Sequence, residues 1–409
     1  MSNWRTVRLD QLGTVQRGRS RHRPRDDPKL FGGPYPFVQT GDVKAAGLRL
    51  FTYNQTYSAE GLTQSRLWPT GTLCITIAAN ICDTTILGIS ACFPDSVVGF
   101  TPQVEISDVV FVKYMLDLVK QQFTAISRGA TQDNLSLEKL LSQDLWVPGI
   151  DEQRRIASIL GAYDDLIEVN RRRVAVLEAM ARGLFEEWFV RFRFPGHENH
   201  KIIETPDGPL PEGWERTPFS QLAQFLNGHA FKPADFQPEG LPIVKIPELK
   251  NGVTEKTPRN SGLNVPRQLY LEDGDLLFSW SGTLAVGEWT NGPALLNQHL
   301  FRVVPRGLVG RSFLRVALLQ AMPRFQSQGV GATMQHIRRA ALDQTSVPIP
   351  TQGPILSLAD NALTILYNQV VILRRQNQTL AASRDLLLPR LISGDLSVAA
   401  ASRDLEAAA

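Results

Sequence analysis

The 409-residue sequence has only three cysteines, Cys74, Cys82 and Cys92, an odd number with no C-x-x-C spacing. Neither a disulfide framework nor a thiolate zinc site is encoded, and reduced thiols in the cytoplasm are the expectation. The opening MSNWRTVRLD lacks an apolar signal core, and the most apolar stretch, Leu73 to Phe93, is broken by Asn80 and Asp83. No signal sequence or membrane span is therefore expected. There is no G-x-x-x-x-G-K-[ST] phosphate loop, which excludes ATP hydrolysis or translocation by that device. Asn-Pro-Pro-aromatic and Asp-Pro-Pro-aromatic motifs are missing too, as is a glycine-rich methyl-donor loop, so no amino-methyltransferase site is encoded. Excess charge is also scarce: the formal net charge is +3, yet residues 1–30 alone carry eight Lys/Arg against three Asp. The positive field is local.

What is present is a repeat. With 43% hydrophobic and 20% charged residues, the length suits a soluble globular protein of two or three domains. Residues 151–194 contain no Pro and place Ile156, Ile159, Leu160, Tyr163, Leu166, Ile167, Val174, Leu177, Ala181, Leu184 and Trp188 three or four apart. That spacing predicts one long amphipathic helix, about 60 Å at about 1.5 Å per residue. Residues 354–396 repeat the design with Leu363, Leu366, Val370, Leu373, Leu380, Leu387 and Leu391, and the pair suggests an intramolecular coiled coil. A segment of roughly 150 residues precedes each helix, and the two segments match weakly in order. Trp4, Leu12 and Gly18 recur as Trp214, Leu222 and Gly228, Gly71-Thr72-Leu73 as Gly274-Asp275-Leu276, and Gly129-Ala130-Thr131 as Gly331-Ala332-Thr333. Within the segments, Leu73–Ile77 and Leu276–Trp280 read as strands, and 109–126 and 311–322 as helices. Residues 195–213 read as a Pro/Gly-rich linker and 397–409 as a flexible Ala-rich tail.

The expected fold class is α+β: two mixed α/β domains in tandem, separated by two long antiparallel helices. The boundaries are 1–150, helix 151–195, 196–350 and helix 351–396. This layout, with EAMARGLFEEWFV at Glu178 to Val190, LPEGWE at Leu210 to Glu215 and LLPRLISGDL at Leu387 to Leu396, resembles the DNA-specificity subunit of type I restriction–modification enzymes. The resemblance implies a non-catalytic reader of double-stranded DNA with a bipartite site, one domain per half-site and the helices as a ruler. It further implies two methyltransferase subunits docked on the helices and two ATP-dependent restriction subunits. S-adenosylmethionine, ATP and Mg²⁺ would belong to those partners, with no cofactor on this chain.

Candidate residues follow from charge and shape. Arg17, Arg19, Arg21, Arg23 and Arg25 alternate, so an extended segment would project them to one side as a comb for phosphates; His22 lies among them as a possible base reader. The turn with Gln132 and Asn134, and its counterpart with Gln335 and His336, offers adenine-pairing groups or, alternatively, a structural cap on the next helix. Lys44, Lys245 and Lys250 resemble backbone-contacting positions but equally suit a solvated surface. Lys232, Gln298 and Arg338 complete the DNA-facing set, while Trp280 reads as core. For partner docking the sequence offers Leu184, Phe185, Trp188, Phe189, Leu387 and Leu391, too widely spread for one seam. An enzyme alternative rests on Asp235 with Glu248-Leu249-Lys250, and Asp26 or Asp27 with Asp42-Val43-Lys44, which imitate the acid-then-(D/E)-x-K spacing of Mg²⁺-dependent nucleases. A helical scaffold without a DNA role is the remaining alternative.

Overall fold

The computed structural model describes residues 4–127, 135–307, 309–328, 337–396 and 398, with side chains of 121–127 excluded. The chain forms two compact units. Unit 1 comprises residues 1–169 and 377–409, and unit 2 residues 170–376. By contact, the two long helices are divided between the units, where the sequence sets them apart as 151–195 and 351–396. Helix α2 (Ile150–Phe185) gives its first half to unit 1 and its second to unit 2, and α4 (Ile355–Ile392) does the reverse. Their apolar stripes are continuous, so each half is buried by whichever globular part lies beside it.

In unit 1, strands β1 (Gly13–Arg17), β2 (Leu73–Thr76), β3 (Thr84–Leu87) and β4 (Val97–Pro102) make a sheet in the order β1-β4-β2-β3, with Arg49–Leu50 parallel on the far edge. Unit 2 repeats this with β5 (Ala223–Asn227), β6 (Leu276–Ser279), β7 (Ala285–Glu288) and β8 (Leu300–Pro305) in the order β5-β8-β6-β7. Every pairing in the repeated part is antiparallel. A helix packs on each sheet: α1 (Val109–Ser127) in unit 1 and α3 (Arg311–Ser327) in unit 2. Helix α3 runs past its expected end at 322, through Pro323 to Ser327, and the burial of Phe325 in the unit 2 core offsets the lost backbone donor. Each unit also closes on a two-stranded ribbon, Arg5–Val7 with Leu145–Val147 and Trp214–Pro218 with Ser346–Pro350. The tandem repeat read from scattered residues is thus a repeat of topology and register.

The expected helix to 194 ends early. It passes into a π-turn at Glu186–Val190, and Phe192 adopts φ 57°. The cause is burial: Phe194 stacks on Trp214 at 5.0 Å, and leaving the helix is what brings the two rings together. The expected linker is likewise structured, as Leu210 and Pro211 are buried and pair with Ile202–Ile203. Of the expected tail at 397–409, only residue 398 lies among the described residues.

The helices run antiparallel within unit 1, where Asp164 on α2 pairs with Arg384 on α4 and the Ile167 carbonyl accepts from Asn377 Nδ2 at 3.2 Å. Tyr114 of α1 donates to the same Asp164, locking three helices around one carboxylate. In unit 2 the corresponding knot is Glu178 of α2, held by Arg374 of α4 at 2.8 Å and Arg315 of α3 at 3.1 Å, with Arg315 also on Glu288 at 3.0 Å. By length and composition α4 is able to span a membrane. Its residues Leu363, Tyr367, Val370 and Leu373 are instead buried in unit 2.

Candidate nucleic-acid interface

The repeat places one glycine at the end of the first sheet strand in each unit, and neither tolerates a side chain. A Cβ on Gly18 would lie 2.3 Å from the Pro94 carbonyl oxygen, and one on Gly228 2.2 Å from that of Asn297. The next residues, Arg19 and His229, are then fixed by their backbone N–H groups, which donate to Phe93 O at 3.1 Å and Leu296 O at 2.8 Å. Close backbone approach therefore launches two surface loops from matching points, 19–30 and 229–240. The loops share a scaffold and differ in chemistry.

In unit 1 the loop is tied down by Gln64 and Ser65. Gln64 Oε1 accepts from the Arg21 and His22 amides at 2.6 and 3.1 Å, and Ser65 Oγ donates to Arg19 O at 2.9 Å. This folding breaks the expected comb. Arg23 donates to the carbonyls of Ser20 and His22, both at 2.8 Å, and Arg25 pairs with Asp95 at 2.9 Å. The His22 ring is half-buried against Asp27 at 2.9 Å, so it braces the loop instead of projecting as a base reader. Asp27 lies below the ordinary carboxylate range: desolvation pushes upward, and the Lys29 amide, the His22 ring and the Lys29 charge outweigh it. Arg17, Arg19 and Arg21 are exposed, with no ion pair or side-chain hydrogen bond among the described residues. Three cations remain from five.

Across unit 1, Lys44 Nζ donates to Asn80 Oδ1 at 3.2 Å, in a loop where Ala79 is held at φ 64°. The matching residue of unit 2 is Gly282 at φ 67°. In unit 2 the Trp280 indole donates to Gln298 O at 3.0 Å and Asn227 Oδ1 at 3.2 Å, with the His299 ring 6.2 Å away. Trp280 is therefore half-buried at the rim and not core. Lys232, Lys250 and Arg338 are exposed, whereas Lys245 lies over the Phe236 ring at 4.7 Å. Leu135 bonds Ile77 O and Ile337 bonds Trp280 O, both at 2.9 Å, which fixes the chain beside each rim at equivalent points. Gln132, Asn134, Gln335 and His336 lie outside the described residues. Asn227 and His229 were missed by the sequence reading, although His229 follows the repeated glycine and could have been found from the offset.

The nuclease constellation is corrected by hydrogen bonding. Glu248 is buried and caps its own short helix, its carboxylate accepting from the Lys245 amide at 3.0 Å and from Thr257 Oγ1 at 3.3 Å. Asp42 does the same for Gln39 at 2.8 Å and Asn54 at 2.6 Å, and Asp235 for the Lys232 amide at 2.6 Å. These acids are capping residues spaced by helix geometry. The thiols are equally committed to the interior, with burial pushing Cys82 up to about 12.

Three of the six expected docking residues are corrected by burial. Phe185 and Phe189 pack on Phe313 at 5.4 and 4.8 Å inside unit 2, and Leu391 is buried in unit 1. Leu184, Trp188 and Leu387 are half-buried against the same cores. The apolar side chains that do face solvent are others. In unit 2 they include Val176 (59% exposed), Met180 (54%) and, at heptad spacing on α4, Leu358, Ile365 and Ile372; in unit 1, Leu166, Val169 and Leu386.

Comparison with known proteins agrees with this architecture. A family described as "Type I restriction modification DNA specificity domain" matches residues 1–179 and 211–380. The chain is 23% identical over 417 residues to the type I restriction enzyme MjaIX specificity subunit of Methanocaldococcus jannaschii, covering 97% of this chain and 94% of that one. It is 23% identical over 337 residues to the HindI specificity subunit of Haemophilus influenzae, covering 66% and 73%. The crystal structure of a type I restriction–modification S subunit from M. genitalium shares the fold, with a TM-score of 0.58 at 14% identity and 95% and 96% coverage. The family match spans most of this chain in two stretches: the chain belongs to the type I restriction–modification DNA-specificity family, as a specificity subunit.

Proposed function

We propose that each unit reads one half of a bipartite site in double-stranded DNA. The observation that carries this is the pair of equivalent loops, launched from Gly18 and Gly228 on matching sheets but bearing different groups. Unit 1 presents Arg17, Arg19 and Arg21, and unit 2 presents His229, Trp280 and Gln298 with Lys232, Lys250 and Arg338 around them. A common scaffold with unlike loops suits two different half-sites. Helices α2 and α4 supply the spacing, so their length sets the gap between half-sites and both halves must be engaged together.

The exposed apolar residues of the long helices are the proposed docking surface for two methyltransferase subunits, on which two ATP-dependent restriction subunits would then assemble in the cytoplasm. S-adenosylmethionine, ATP and Mg²⁺ act in those partners, where methyl transfer requires the target base to leave the stack. Co-expression with a methyltransferase subunit and genome-wide mapping of methylated adenines tests the reading. A split motif with a fixed gap is expected, and a heptad inserted at the 169/170 point of α2, with its counterpart in α4, shifts the accepted gap. A continuous motif, or an unchanged gap, sinks the two-reader arrangement.

A further inference from the structure

Unit 2 contains a cavity of about 570 Å³ at the end of α2, lined in part by Phe185, Phe189, Ala317 and Val347. Two cations share it. Arg216 donates from Nε to Asp207 O at 3.1 Å, and Arg324 to Ser346 O at 3.1 Å, which leaves most of both guanidinium forks uncommitted. Neither has a carboxylate partner among the described residues, since the one acid in the lining, Glu186, is held by Arg191 at 2.6 Å. Burial, and then the Arg216 charge, pulls Arg324 below its ordinary range. Two guanidiniums beside an apolar lining with no anion between them are complementary to a carboxylate on an apolar stem.

The site breaks the internal symmetry. Arg216 faces Pro348 across its ribbon as Thr6 faces Trp146 in unit 1, and the 202-residue offset between α1 and α3 sets Gln122 against Arg324. The first unit therefore has no arginine at either equivalent position.

We propose that this cavity is a socket for one Asp or Glu side chain, flanked by an apolar residue, on the methyltransferase subunit that docks at unit 2; the proposal rests on the assembly described above. A phosphodiester backbone would bring charge but nothing to cover the exposed Val190 and the half-buried Phe192 of the lining, and Glu186 in the wall disfavours a polyanion. A lone carboxylate beside an aliphatic or aromatic group satisfies both parts of the lining.

The test uses the full chain with its co-expressed methyltransferase subunit, reading stoichiometry by native mass spectrometry and affinity by titration. The Arg216→Glu/Arg324→Glu chain is expected to bind one copy as the native chain does and the other roughly tenfold or more weakly, the scale of a lost charge-assisted pair. Arg324→Glu alone gives a smaller loss in the same copy and guards against misfolding of the double variant. Melting temperature and duplex binding by the free chain stay as in the native protein. Two copies bound by the variants with native affinity overturn the socket while leaving the assembly standing. Equal weakening of both copies with unchanged melting overturns its one-sidedness, and absence of any complex with the native chain overturns socket and assembly together.

Discussion

Replacing Arg19 and Arg21 with Ala should weaken binding to every duplex and flatten its salt dependence. Both side chains are exposed and carry no ion pair among the described residues, while their backbones are fixed by Phe93, Gln64 and Ser65. The substitution therefore removes charge and leaves the loop in place. Each phosphate neutralised contributes about 0.9 to the slope of log affinity against log salt, so two contribute about 1.8. Between 50 and 200 mM salt the native chain should then lose about twelvefold more affinity than the variant. Fluorescence anisotropy with a target duplex and a scrambled one measures both slopes. Arg25→Ala is the control, because its guanidinium is already spent on Asp95 at 2.9 Å. A slope unchanged in the double variant, or shifted equally by Arg25→Ala, refutes the assignment of free cations to this loop.

Other expectations concern stability. Phe189→Ala empties a fully buried site among Phe185, Phe313 and Trp214 and should cost about 3–5 kcal/mol in denaturant titration, whereas a surface-docking Phe would cost little. Ala79→Gly relieves a left-handed residue whose counterpart is already Gly282, so a gain of about 0.5–1 kcal/mol is expected after the extra unfolded-state entropy of Gly; a loss would show that φ 64° is not held in solution. Glu248→Ala removes a helix cap and should cost about 1 kcal/mol, and Mg²⁺-dependent DNA cutting that disappears with this change would restore the nuclease reading. Burial raises the Glu288 carboxyl against the lowering charges of Arg315 and Arg311. Its folded form therefore holds a proton that the unfolded chain has released, and stability falls as pH rises from the unfolded to the folded value. Glu288→Gln should remove that part of the slope, and an identical pH profile would contradict it.

Much of the architecture was legible in one dimension. The strands at Leu73 and Leu276, the helices beginning at Val109 and Arg311, and the Gly18/Gly228 pair register as expected, because each depends on local periodicity or on a backbone approach that only Gly permits. The candidate site was only partly legible. Alternating arginines require an extended chain to act as a comb, and the segment turns instead, since Gln64, more than forty residues away, captures two of its amides. The acid-x-Lys pattern had two local explanations, a metal site or a helix cap, and only the hydrogen-bond partners of Asp42 and Glu248 chose between them.

The sequence by itself determined the family, the tandem repeat and the presence of two long helices, all of which rest on spacing along the chain. Tertiary structure decided which side of each helix is spent. Phe185, Phe189 and Leu391 look like surplus apolar surface in sequence and are core, while Val176, Met180 and Ile365, which lie off the stripes read from the sequence, face solvent. Periodicity records that a helix has an apolar face, but which part of that face is covered depends on residues from other elements of the fold, as Trp214 and Phe313 are for Phe189. The same holds for Arg216 and Arg324, whose shared cavity exists only once a ribbon and a helix have packed side by side.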